Sequence, residues 1–274
     1  MTGTIVGPGA EELSVAVRLA REAGALQLER WDGLRVQGTK AHVNDLVSDV
    51  DIASEGLLVD GLRAAFPDDG VLAEEGTDLA GGSSRRWVID PLDGTRNYVS
   101  RSGPWSVCLA LEEVRDDADG PVTTVAVVHD PTVAETFAAV RGAGAWCNDR
   151  PLRASGCTEL GRALLALSYN PSQATRERLG SVIPALLEVV GDLRRYPSAL
   201  QLAYLAAGRV DAGLVLDAKP WDVAAGYLIA TEAGVRLTGP AGAPPTSALT
   251  IGAAPGLREE FGRLVAALPL TDPG

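Results

Sequence analysis

The chain has 274 residues, enough to bury a large core in one domain or two closely joined halves. Its 36 acidic residues against 24 basic ones give a formal charge of −12, which argues against a general nucleic-acid binder. Three scattered cysteines and two histidines exclude a disulfide framework and a histidine-rich zinc site, so any bound metal would be a hard cation held by carboxylates.

The N-terminus lacks the basic-then-apolar pattern of a secretory signal, and no apolar run approaches the length of a membrane span. We therefore expect a cytoplasmic protein with neither nucleic acid nor membrane as partner. Leu13, Val17, Ala20, Ala23, Leu28 and Trp31 recur at helical spacing and predict a helix over 10–31. Residues 32–47 are polar and turn-rich, a loop or hairpin. A second helix is expected from 48 to 66, stopped by Pro67. Short apolar runs at 71–73 and 87–89 are followed by strand-like stretches at 105–112, 122–129, 135–140 and 144–147.

Beyond about residue 160 the pattern changes. Strand candidates at 163–168, 210–216 and 248–253 alternate with helix candidates at 172–190, 198–207, 222–233 and 256–267, with a loop over 239–247. The expected fold class is α+β followed by α/β. The boundary is placed at 155/156, giving an N-terminal α+β half, 1–155, and a C-terminal α/β half, 156–274.

The densest chemical signal is residues 90–97, DPLDGTRN, directly after the apolar run RWVI. Asp90 is expected where that strand ends, because Pro91 interrupts the ladder and Gly94 permits a tight turn. Two carboxylates three residues apart on such a turn can share one small volume. They would repel each other unless divalent cations neutralise them. The amides of Gly94 and Thr95 could cradle a phosphate. Any single Asp-Gly or Asp-Pro pair could instead mark a plain surface turn.

This string resembles the metal-binding signature of the inositol monophosphatase family, part of a wider lithium-sensitive group that includes bisphosphate nucleotidases and fructose-1,6-bisphosphatases. Three further segments match in order: Ala73-Glu74-Glu75-Gly76; Pro220-Trp221-Asp222-Val223-Ala224-Ala225-Gly226 running on to Glu232-Ala233-Gly234; and Lys40 with Asp45 to Asp51. Alone, each has a bland explanation, a solvated acidic pair, a helix N-cap or a first-turn acid.

The resemblance implies a layered αβαβα sandwich and a magnesium-dependent hydrolase with two or three Mg²⁺. It assigns Glu74, Asp90 and the Leu92 carbonyl to a first metal and Asp90, Asp93 and Asp222 to a second. A third would use Glu74. Thr95, oriented by Asp51, would deprotonate the attacking water. Glu75 and Lys40 would stand behind these ligands, and the assembly would be a homodimer.

Three positions depart from the family pattern. Val215 stands where a substrate-contacting glutamate is usual, Tyr196-Pro197-Ser198 replaces a glycine-led loop, and Arg96 follows Thr95. Gly94, Thr95, Arg96, Ser198 and Val215 are thus the candidate substrate contacts. Inositol 1-phosphate is expected to be a poor substrate beside another small polyol, sugar or cyclitol phosphate. The alternatives are a nucleotide or bisphosphate nucleotidase, a histidinol-phosphate phosphatase, and a non-catalytic scaffold.

Overall fold

A computed structural model describes residues 7–33, 36–39, 46–115 and 120–270. In chain order the elements are α1 (Ala10–Arg30), β1 (Val36–Thr39), β2 (Leu46–Ser48), α2 (Asp49–Ala65), β3 (Gly70–Ala73), β4 (Asp78–Leu79) and β5 (Arg85–Asp93). Then follow α3 (Thr95–Ser100), β6 (Ser106–Glu113), β7 (Val122–Asp130), β8 (Glu135–Val140), β9 (Gly144–Cys147) and β10 (Arg150–Pro151). The remainder is β11 (Leu164–Tyr169), α4 (Gln173–Leu187), β12 (Asp192–Arg195), α5 (Ser198–Ala206), β13 (Ala212–Leu216), α6 (Pro220–Glu232), β14 (Arg236–Thr238), β15 (Leu249–Ala253) and α7 (Arg258–Ala266).

The apolar runs of β5 to β8, buried on both faces, form the centre of an eight-stranded sheet in the order β10-β9-β8-β7-β6-β5-β3-β4, antiparallel except where β3 runs parallel to β5. A second sheet runs β12-β11-β13-β15-β14. Its β11 pairs parallel with β12 and β13, whereas β15 is antiparallel to both its neighbours. The alternating half is therefore a mixed sheet. Residues 32–47 include an antiparallel pair, β1 with β2.

Five layers result. The alanine-rich face of α1 and the leucines of α2 cover one side of the large sheet, through Leu13, Ala16, Ala20, Leu58, Leu62, Trp87 and Leu109. The opposite side meets α5 and α6 through Val88, Ala126, Phe137, Ala199, Ala203, Ala225 and Ile229. Those two helices also back onto the smaller sheet, where Leu205 and Ala230 meet Ala166, and Leu202 and Val223 meet Val215. The outer face of that sheet is closed by α4 and α7 through Leu179, Val182, Leu214, Ile251 and Phe261.

A helix packed on both sides by sheets must be apolar around its circumference. Eight of the nine α5 residues are buried, which explains why α5 has no polar face. A β-carbon on Gly226 would lie 2.7 Å from the Leu202 side chain, so the glycine permits the close crossing of α5 and α6.

Candidate active site

The site lies where the two sheets converge, in a cavity of about 380 Å³. One wall comes from the large sheet. The strand β5 does not end at Asp90, as the proline suggested. It continues to Asp93 with Asp90 opposite Cys108 and Asp93 opposite Ser106, so one extra residue bulges between them. Pro91 cannot donate to the ladder, and a bulge is where a strand tolerates that loss. The Pro91 carbonyl instead accepts from Gln27 Nε2 at 2.7 Å, while Asp90 Oδ1 accepts from the Leu92 amide at 2.9 Å.

The bulge brings Asp90, the Leu92 backbone and Asp93 to the cavity while the Leu92 side chain enters a core with Val50, Tyr98 and Trp105. Gly94 follows with φ 102°, a left-handed conformation. A β-carbon there would lie 2.8 Å from Pro197 Cγ. Glycine is needed on both counts. Thr95 then opens α3.

Glu74, Asp90, Asp93 and Asp222 all line this cavity. Burial pushes the Asp90 carboxyl well above the usual range, and the charges of Glu74, Asp93 and Asp222 add to the effect. Burial also raises Asp93, to about 7, against the opposing pull of the Ala199 amide, which donates to its Oδ2 at 2.9 Å. Asp222 sits in the first turn of α6, its Oδ2 accepting from the Lys219 amide at 2.7 Å.

Among the described residues, no three His, Cys, Asp or Glu side chains already form a metal cage. One oxygen of Asp93 and one of Asp222 is turned to a backbone amide instead. The donor set still fits magnesium. It consists entirely of hard oxygens, and it concentrates like charges that only a cation makes favourable in a buried place.

Asp51 is fully buried at the start of α2. Its Oδ1 accepts from Thr95 Oγ1 at 3.0 Å, and its Oδ2 accepts from the Ser48 amide at 2.9 Å and from the Ser48 hydroxyl. The capping box that starts α2 therefore also aims Asp51 at Thr95. Thr95 Oγ1 has a second acceptor in the Leu92 carbonyl at 3.2 Å.

The structure thus gathers Glu74, Asp90, Leu92, Asp93, Gly94, Thr95, Arg96, Ser198 and Asp222 around one cavity, with Asp51 behind Thr95. It does not bring Val215 there. That side chain is 2 % exposed and packs with Leu202, Ala218 and Val223, because its position on β13 faces the middle helices. Glu75 does not line the cavity, and its amide is held by Glu55 at 2.7 Å. Lys40 lies outside the described residues.

Several contributors escape a motif search. Glu55, from α2, also takes the Thr77 amide at 3.1 Å and so fixes the turn that carries Glu74. Gln27, from α1, receives Trp105 Nε1 at 2.8 Å while holding Pro91. The far wall is made by Ser168 and Tyr169 at the end of β11 with Asn170 and Pro171 beyond it, and by Arg195, the last residue of β12, with Tyr196 after it. The available signal was positional, since ligands gather at the carboxyl ends of parallel strands.

Comparison with known proteins bears on the fold and the family. The model of the inositol monophosphatase family matches residues 10–269. "Nus factor SuhB" of Vibrio cholerae is 39% identical over 236 residues, which is 84% of this chain and 85% of that protein. The crystal structure of the extragenic suppressor protein suhB from Bartonella henselae superposes with a TM-score of 0.86 at 29% identity, covering 93% of this chain and 98% of that one. Inositol monophosphatase from Anabaena superposes at 0.80 with 29% identity, over 94% and 96% of the two chains. The chain belongs to the inositol monophosphatase family.

Proposed function

We propose that the protein is a magnesium-dependent phosphomonoesterase acting on a small phosphorylated metabolite. The observation that carries this is the convergence of Glu74, Asp90, Asp93, Asp222 and the Leu92 backbone on one cavity beside the Thr95–Asp51 pair. Glu74, Asp90 and Leu92 O, and Asp90, Asp93 and Asp222, would hold the metal ions. Magnesium, when bound, offsets the repulsion between these carboxylates and the phosphate and makes water more acidic.

The chain's own groups account for the remaining steps. Thr95 Oγ1, with its proton directed to Asp51, presents lone pairs that can accept a proton from water approaching phosphorus. Asp51 stays fixed because Ser48 holds its second oxygen. The backbone at Gly94 and Thr95 would position the phosphoryl group, and Ser198 and Arg96 line the same cavity. A water oxygen–phosphorus bond forms, the phosphorus–alkoxide bond breaks, and the departing alcohol takes up a proton.

Relatives named as a Nus factor raise the possibility of a scaffold. Retention of buried like charges supports the enzymatic role, because a scaffold gains nothing from them. By family resemblance we extend the proposal to inhibition by lithium and to a homodimer. Release of inorganic phosphate from p-nitrophenyl phosphate, with and without Mg²⁺, tests the central claim. Turnover that requires Mg²⁺ is expected, and no turnover under any metal condition would reject it.

A further inference from the structure

A second cavity, of about 500 Å³, is lined by β14, β15 and α7 and shares no residue with the first. Thr238 pairs with Ile251 and Arg236 with Ala253. Ile251 and Ala253 belong to the core under α4 and α7, so Arg236 and Thr238 face that side of the small sheet. Here α7 lines the gap with Gly262 and Ala266, and a β-carbon on Gly262 would meet no atom within 4 Å. The turn Pro240–Gly242 adds Ala241 and Gly242, so small residues leave the space open.

Three arginines line this cavity, Arg236 from β14 and Arg258 and Arg263 from α7. All three are exposed, and among the described residues no guanidinium of the three has an ion pair or a hydrogen bond. Glu259 is the single acid of the lining. Arg258 is the first residue of α7, where the helix dipole disfavours a cation. This gathering of like charge costs the fold, and a bound anion would offset it. Guanidinium forks match phosphate oxygens in pairs. Arg258 and Arg263 are separated along α7 by a rise of about 7.5 Å, better spanned by two linked phosphates than by one. The rest of the chain is acidic, with a formal charge of −12 overall. An extended polyanion would run from the cavity onto that surface and be repelled, whereas a compact one would not.

We propose that this cavity binds a small organic molecule carrying two linked phosphate groups, the chemistry of a nucleoside diphosphate. Arg236, Arg258 and Arg263 hold the phosphates. The organic part rests on Ile251, Gly262 and Ala266.

The test is equilibrium dialysis of the full-length protein against radiolabelled ADP. EDTA is present throughout to keep the phosphatase cavity free of metal. Pyrophosphate, inorganic phosphate and a short single-stranded RNA serve as competitors. We expect one ADP per chain, bound at least tenfold more tightly than either inorganic ion and more weakly as salt rises. Arg236→Gln and Arg263→Gln should each weaken ADP at least fivefold. Gly262→Leu fills the open space without a clash and favours the helix, so it should abolish ADP binding while the protein melts no lower than wild type. Release of phosphate from p-nitrophenyl phosphate with Mg²⁺ should stay within twofold in all three variants, which separates this site from the phosphatase cavity. Absence of ADP binding, or binding that survives the two arginine substitutions combined, overturns the site. Inorganic phosphate competing as well as ADP overturns the two-phosphate requirement, and pyrophosphate doing so overturns the role of the uncharged lining. RNA binding more tightly than ADP overturns the choice of a compact ligand.

Discussion

Thr95 Oγ1 donates to Asp51 Oδ1 across 3.0 Å, joining the first residue of α3 to the first turn of α2. The contact ties a hydroxyl at the cavity to a carboxylate with no exposed surface. Replacing Asp51 by Asn keeps the shape and removes the charge that draws the hydroxyl proton. We expect kcat to fall about 100-fold or more with little change in KM, in the range for loss of a proton-transfer group. Steady-state phosphate release measures this, and a variant within threefold of wild type would detach Asp51 from catalysis.

Asp90 has the opposite balance between activity and stability. Its carboxylate is buried among Glu74, Asp93 and Asp222, and this raises the cost of ionising it. Asp90→Asn should abolish phosphate release while melting, in buffer with EDTA, no lower than wild type. A large loss of metal-free stability would show that Asp90 holds the fold together rather than straining it.

Gly94→Ala should damage both properties. The substitution places a β-carbon 2.8 Å from Pro197 Cγ at a residue with φ 102°. A destabilisation of about 1–3 kcal/mol is expected from the backbone conformation alone. Denaturant titration gives that number, and the phosphate assay should show a further loss as Thr95 shifts.

Val215→Glu looks from the sequence like a way to restore an inositol-binding carboxylate. The structure predicts a different result. Val215 is buried between Leu202 and Val223, so an ionised side chain there is desolvated without a partner. We expect a loss of about 3 kcal/mol or more and poor recovery of folded protein, not improved turnover. Gain of activity on inositol 1-phosphate with unchanged melting would contradict this.

His129 provides a pH prediction away from the cavity. Burial lowers its pKa from 6.5 to about 4, and its Nδ1 lies 3.1 Å from Thr136 Oγ1. The folded state thus binds its proton less readily than the unfolded chain. The stability tied to neutral His129 is complete above pH 6.5 and is lost as pH falls toward 4, on the order of 3 kcal/mol in all. His129→Gln should flatten that part of the stability curve, measured by urea titration from pH 7.5 to 4.5.

Much of the fold was legible because its elements obey simple periodicities. The helix of α1 shows its alanine face, and β5 to β9 are runs bounded by Gly, Pro and Asp. The strands β12 and β14 were missed: Asp192-Leu193-Arg194-Arg195 is a short, polar edge segment whose pattern carries no apolar signal. At the site, Glu74, Asp90, Asp93 and Asp222 were legible as motif residues. Val215 was misplaced because spacing from Asp222 does not reveal which face of a strand a side chain takes. Asn170 and Arg195 were invisible as cavity residues because only the parallel pairing of β11 with β12 brings the ends of those strands to one wall.

The middle layer has a last consequence. Ala199 of α5 donates to Asp93, and Asp222 rides on α6, while Asp90 and Thr95 belong to the other side of the cavity. Under the proposed function, neither sheet alone possesses a complete reaction centre. Turnover therefore reports on docking: a partly opened molecule whose large sheet is still intact would already be silent. Loss of activity on gentle heating should precede loss of β-structure, making the assay a sensor of how tightly the layers are closed.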